Sequence, residues 1–247
     1  MTTAVAIILA RAGSKGVPGK NSALIAGRPC ASWTIEAAQR SETISRTALS
    51  TDDPRLQALG AALGVEVVAR PPELATDTAR VDDAARHAVE ALGVGDDALI
   101  AILYANVPVR PDDLIDRCVR TCIETGADSV QSYAPVGKHH PWWTCRIDPG
   151  SAQVTPWEGD TLNGGVFRRQ DLPDASIPDG GCLVVRLSSL LNPDAHHTPH
   201  GFLGADRRGV RTKEGDVIDI DTPIDRIVAD AILNQRHPLT VPEDARA

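Results

Sequence analysis

The sequence predicts an α/β fold, an open and mostly parallel doubly wound sheet, in one domain over residues 1–247. Three observations predict it. Short apolar runs alternate with longer amphipathic ones from Ala4 to Tyr133. The run Ala98–Leu103 is apolar throughout, as a strand covered on both faces requires. The first apolar run empties into a loop of glycines and basic side chains, where open sheets hold ligands. With 42% hydrophobic but only 3% aromatic residues, the core must come mainly from Ala, Val, Leu and Ile.

Taken in order, Ala4–Leu9 reads as a first strand, and 30–40 as a helix with Trp33 and Ala37 on one face. Arg46–Ser50 reads as a second strand ended by "STDDP". Asp53 is then placed to cap a helix whose first residue is Pro54. Val65–Ala69 is strand-like, "RPPELATDTA" is a loop of turn formers, and a helix is expected over about 81–92. After the strand at 98–103 come a helix over 111–125 and a strand over 129–133. The rhythm lapses between about 135 and 180, a stretch rich in Pro, Gly and Trp that reads as an inserted, protruding arm. It resumes with "CLVVRL", the β-like run Val217–Ile220 and a helix from about Pro223 to Gln235.

The formal net charge of −8 argues against a nucleic-acid partner, so any basic site must be local. No apolar stretch approaches the ~18 residues of a membrane span, so no membrane partner is expected. The amino-terminal stretch lacks the basic region of a secretory signal. The five cysteines (30, 118, 122, 145 and 182) form no metal-binding spacing and read as reduced thiols. Together these features imply a cytoplasmic protein. The pairs His139-His140 and His196-His197 point to opposite sides of an extended chain, which disfavours a shared metal.

The loop "LARAGSKGVPGKN" decides the chemistry. It fails the P-loop pattern, because Gly13 and Gly19 enclose five residues and Asn21 stands where Ser or Thr is needed. It fails the dinucleotide pattern too, because its glycines fall at three-residue steps. It still suits a phosphate: glycines let amides approach oxygens, and Arg11, Lys15 and Lys20 neutralise negative charge. Near the other end of the chain, Asp219 and Asp221 alternate in the β-like run. Side chains at i and i+2 share a strand face, so both carboxylates can meet one Mg²⁺. A polar strand end with Asp221 capping the next helix is the competing reading of that pair.

"LARAGSKGVPGKN" resembles the signature loop of the acylneuraminate cytidylyltransferase family, which makes CMP-sialic acid and related CMP-activated acidic sugars. "ALSTDDP", "VVARPPELATDTA" and "DIDTPIDRIVADAIL" resemble further motifs of that family in the same order, as do "KHHP", "RRQDLP" and "PDGG" in the middle region. The resemblance implies a nucleotide-diphospho-sugar transferase-like fold and attack by an acceptor hydroxyl on the α-phosphorus of CTP, with release of pyrophosphate. Arg11, Lys20 and Asp221 are the catalytic candidates. Ala10, Arg11, Ala12, Gly13, Ser14, Lys15, Lys20, Asn21 and Arg70 are the nucleotide-binding candidates, with Arg70 near the cytosine. Asp219 and Asp221 would hold Mg²⁺. The arm implies a homodimer in which each subunit reaches its neighbour's site.

The acceptor side departs from the family pattern. Where the family usually has Gln-Pro-Thr-Ser-Pro-Leu-Arg, this chain has Tyr104-Ala105-Asn106-Val107-Pro108-Val109-Arg110. Trp143 and Ile177 stand at basic positions, and Leu183 at a tyrosine. Tyr104, Asn106, Arg110, His139, Arg168, Arg169 and Gln170 are the acceptor-binding candidates, with Lys138 as another cation for a carboxylate. The acceptor is thus a small acid: a sialic, nonulosonic or related sugar acid, or alternatively a phosphonate. Two further readings stay open, a sugar-1-phosphate nucleotidyltransferase and a non-catalytic nucleotide-binding protein.

Overall fold

The computed structural model describes residues 3–14, 16–192 and 200–237. In chain order the elements are β1 (Ala4–Leu9), α1 (Cys30–Arg40), β2 (Ile44–Thr51), α2 (Pro54–Ala62), β3 (Glu66–Ala69), α3 (Val81–Ala91) and β4 (Leu99–Tyr104). There follow α4 (Leu114–Thr125), β5 (Ser129–Pro135), β6 (Ser176–Arg186), α5 (Leu187–Leu191), β7 (Arg207–Arg211) and α6 (Pro223–Arg236). The seven strands form one sheet in the order β7-β5-β6-β4-β1-β2-β3. Only β6 runs against its neighbours β4 and β5; every other pair is parallel.

Alternation along the strands builds the two faces. Ala4, Ala6 and Ile8 of β1, with Leu99, Ala101 and Leu103 of β4, pack against α1, α2 and α4. Val5, Ile7 and Leu9, with Ile100 and Ile102, pack on the opposite face against α3 and α5. The doubly wound expectation therefore holds, and small aliphatic residues fill both layers. All five cysteines are free thiols and four of them are buried.

Asp53 caps α2 as its sequence position requires, accepting the Arg55 amide at 2.9 Å with Pro54 in the first turn. Asp116, in the first turn of α4, ties that helix to the α1–β2 connection. Its carboxylate accepts the Ser41 hydroxyl at 2.5 Å, the Thr43 hydroxyl at 2.7 Å and the Thr43 amide at 3.0 Å. Burial alone would push this carboxyl up, but those hydroxyls and amides hold it below the usual range.

Four elements differ from expectation. The helix expected from residue 111 starts at Leu114, because Pro111 opens a turn closed by the Leu114 amide at 3.1 Å. β6 begins at Ser176, inside the stretch read as irregular, and its register shifts between Pro178 and Leu183, where Gly180 takes a φ of +75°. β7, "RRGVR", carries no apolar alternation because it is an edge strand with only Val210 buried. The run Val217–Ile220 is extended but forms no ladder, only an isolated bridge between Val109 and Ile218. Residues between β5 and β6 leave the sheet and form a small hairpin (Cys145–Ile147 with Val154–Pro156) among short 3₁₀ turns.

Candidate active site

The chain runs outward from β1 to β2 and β3, then crosses back to β4 on β1's other side, so the strand order reverses at β1/β4. A cleft opens there by geometry, and the glycine loop leaves β1 into it. Gly19 takes a φ of +62°, which lets the Ser22 and Ala23 amides fold back onto its carbonyl at 2.9 Å. Val17 turns inward to pack in a small third core with Ile25, Trp33, Ile220, Ala229 and Leu233. This core clamps the loop against Ile220 and the buried face of α6.

The clamp brings the two ends of the sequence together. Lys20 Nζ donates to Asp221 Oδ1 at 2.8 Å, across 201 residues of sequence. Gly16 lies so close to the main-chain carbonyl of Asp221 that a Cβ there would collide with it. Asn106, just beyond β4, holds the neighbouring acid: its side-chain amide donates to Asp219, and its carbonyl accepts the Ile220 amide at 2.9 Å. Burial, and then the nearby Asp221 charge, push the Asp219 carboxyl up to about 6, with Lys20 and Asn106 acting the other way. Asp221 does not cap α6; Thr222 does, in a capping box with Asp225. Asp219 and Asp221 still line one cavity, although the strand expected to align them is absent.

The other charged groups of the cavity are basic. Arg11, Lys20, Arg70 and Arg80 line it together with those two carboxylates, so positive charge prevails. Arg11 pairs with Asp77 at 2.6 Å, and the Ala12 amide donates to Asp52 at 2.7 Å. Ala10 is buried, Gly13 is exposed and Ser14 partly so, all on the same loop. Asn21 donates to the Arg11 carbonyl at 2.9 Å, while its own buried Oδ1 has no donor among the described residues. Arg70 is locked by Ser50, Nε on its hydroxyl at 3.1 Å and an Nη on its carbonyl at 2.8 Å. Burial lowers the pKa of Arg70 to about 10, against the pull of Asp52. Lys15, like His196-His197, lies outside the described residues.

The acceptor candidates divide. Tyr104 and Asn106 line the cavity beside Asp219, and burial with the Asp219 charge pushes the Tyr104 phenol up. Arg110 lies beneath the surface, with all three guanidinium nitrogens buried. His139, Arg168, Arg169 and Gln170 are exposed on the segment outside the sheet and line no part of this chain's own cavity. Arg168 pairs with Asp171, and Arg169 with Glu214 at 3.6 Å. Sequence reasoning passed over Arg80 and the apolar wall formed by Phe202 and Leu203. "DTARVDD" carried a signal for Arg80, since a basic residue opening a helix after a strand-end loop points into such a cleft.

Known proteins match this arrangement. Residues 5–142 fit the sequence model of the family described as Cytidylyltransferase. An N-acylneuraminate cytidylyltransferase of Streptococcus agalactiae serotype III (strain NEM316) is 30% identical over 202 residues, 80% of this chain and 47% of that protein. A 3-deoxy-manno-octulosonate cytidylyltransferase of Synechococcus elongatus is 39% identical over 87 residues, 35% of this chain and 36% of that one. The chain spans about half the length of the N-acylneuraminate relatives it matches at 80% of its own. A solved CMP:2-keto-3-deoxy-manno-octonic acid synthetase complexed with CTP shares the fold, with a TM-score of 0.71 at 17% identity. That match covers 95% of this chain and 100% of the other. Because the matched segment takes in β1, the glycine loop and all of the β1–β4 cleft except its carboxyl-terminal acids, this chain belongs to the cytidylyltransferase family.

Proposed function

We propose that this chain transfers CMP from CTP to a hydroxyl of a small acidic acceptor. The acceptor oxygen bonds to the α-phosphorus while the bond to the bridging oxygen of the β-phosphate breaks, and pyrophosphate leaves. The observation that carries this reading is the Lys20–Asp221 ion pair, which joins the glycine loop to the two acids in one cavity beside Tyr104. Such a reaction needs charge neutralisation and in-line placement, with no covalent nucleophile. Arg11, Lys20 and the amides of residues 10–14 hold the triphosphate, with Lys20 nearest the α-phosphate. Arg70, immobilised by Ser50, supports the cytosine. Asp52 and Asp77 accept from groups that a phosphate would also engage, so those donors already point at an anion.

Asp219 and Asp221 would hold Mg²⁺. Their chemistry fits, being hard carboxylate oxygens, with Asp219 raised by burial and then by the neighbouring Asp221 charge that a cation would offset. Among the described residues no third His, Cys, Asp or Glu joins them, so phosphate oxygens and water would complete the shell. When bound, the ion neutralises charge on the triphosphate. The relatives are named for N-acylneuraminate and 3-deoxy-manno-octulosonate, which supports a carboxylate-bearing acceptor. A nucleoside triphosphate substrate supports a cytoplasmic location.

The test is pyrophosphate release with each of CTP, ATP, GTP and UTP, Mg²⁺ and a panel of sugar acids. Release that needs CTP and an acid supports the reading. Release only with another nucleotide or a sugar phosphate overturns it. Tyr104→Gln is expected to change the ranking of acceptors while the KM for CTP stays put; equal shifts in both would remove Tyr104 from the acceptor pocket. The segment between β5 and β6 supports a homodimer, because Phe167 is 97% and Trp157 54% exposed there. Phe167→Asp is expected to convert a dimer to a monomer in sedimentation equilibrium. A wild-type monomer would refute the pairing.

A further inference from the structure

An acidic acceptor needs a cation, and the arginines singled out by sequence for that task lie away from this chain's own cleft. We infer that Arg80 takes the acceptor's carboxylate, and this rests on the cytidylyl-transfer reading above. Arg80 lines the nucleotide cavity and also a second pocket of about 480 Å³ that shares Tyr104 with it as a wall. The wall of that second pocket is largely apolar, with Leu183, Phe202 and Leu203. Among the described residues lining it, Arg80 is the one arginine or lysine. The other groups there that can carry charge are His200 and the Asp82 carboxylate, which Arg80 and Arg86 already neutralise, so a carboxylate desolvated in the pocket finds its permanent cation in Arg80.

The side chain is built to be held and still available. Arg80 Nε and one Nη fork onto Asp82 at 3.1 and 2.7 Å. Asp82 is buried, and it is pinned from its other side by Arg86 at 2.7 Å. Arg86 is itself fixed by Asp83 and the Leu190 carbonyl. Burial pushes the Asp82 carboxyl up, but the two arginines outweigh it and keep the acid ionised. One edge of the Arg80 guanidinium is thereby anchored. The other edge remains open, on a side chain 58% exposed, and presents two N–H groups in the geometry a carboxylate accepts. Tyr104, between the two pockets, then sits where the acceptor must pass toward the α-phosphorus.

Binding of N-acetylneuraminate and 3-deoxy-manno-octulosonate, each against its methyl ester, should be measured by calorimetry with CDP in place of CTP so that no transfer occurs, alongside steady-state pyrophosphate release with CTP. The wild type is expected to prefer acid over ester. Arg80→Met should erase that preference and raise the acceptor KM at least ~10-fold, with the CTP KM within about twofold, as loss of one charge-assisted pair predicts. Arg86→Met shares the Asp82 anchor but lines neither pocket, so it should keep the acid preference. A preference unchanged in Arg80→Met, lost equally in Arg86→Met, or absent from the wild type overturns the assignment. Acid binding that depends on Arg80 without any pyrophosphate release would uphold Arg80 and overturn the catalytic reading.

Discussion

Asp221→Asn is expected to lower kcat at least ~100-fold, or about 2.7 kcal/mol of transition-state stabilisation. The substitution preserves shape and removes one charge at the point where the Lys20 ammonium and the Asp219 carboxylate converge. Lys20 keeps a neutral acceptor but loses its counter-charge, and the proposed Mg²⁺ site would lose one of its two carboxylates. Much of the nucleotide's hold, on Arg11, Arg70 and the loop amides, is left intact, so the KM for CTP should move far less than kcat. Steady-state rates over a Mg²⁺ titration check this. A variant with nearly wild-type turnover would remove Asp221 from the site.

Asp116→Ala is expected to be the most damaging of these substitutions to stability, at about 3 kcal/mol, because it takes the charged acceptor from one buried and two half-buried donors at once. Ser41, Thr43 and the Thr43 amide all lose their carboxylate acceptor and keep only contacts with one another, and Asp116 itself is only 7% exposed. Asp116→Asn separates charge from shape. The folded carboxyl titrates below its ordinary value of 3.8, so the ionised form's stabilisation is complete above that pH and disappears as pH falls through the folded value. The wild type's margin over Asp116→Asn in chemical denaturation should therefore be full at neutral pH and close below about pH 4. Activity per folded molecule should be unchanged, since Asp116 lines no part of the cleft. An unchanged melting curve would refute the buried network.

Which parts were legible in the sequence follows from how each residue is used. β1 and β4 are buried on both faces, so their apolar runs showed themselves directly. α2 announced its start through Asp53 and Pro54, because capping is local chemistry. The glycine loop was legible because only a backbone approach needs that spacing. β7 was not, since an edge strand with one buried side chain obeys pairing rather than hydrophobicity. The proximity of Asp219 and Asp221 to Lys20 came through resemblance; strand geometry gave the wrong reason, for the stretch is held by Asn106 and a single bridge. Arg80 escaped because its role depends on a pocket closed by residues more than 100 positions away, Leu183 and Phe202.

The joining of Lys20 to Asp221 has a consequence for the order in which a ribosome delivers this protein. All seven strands have been made by Arg211, so a nascent chain can complete its sheet while both acids are still to come. Until the 219–233 stretch emerges, the glycine turn has neither its carboxylate nor the Ile220, Ala229 and Leu233 surface that clamps it. A growing polypeptide can thus hold a complete sheet while its cleft is unfinished, and translation must run through most of α6 before the glycine turn is clamped.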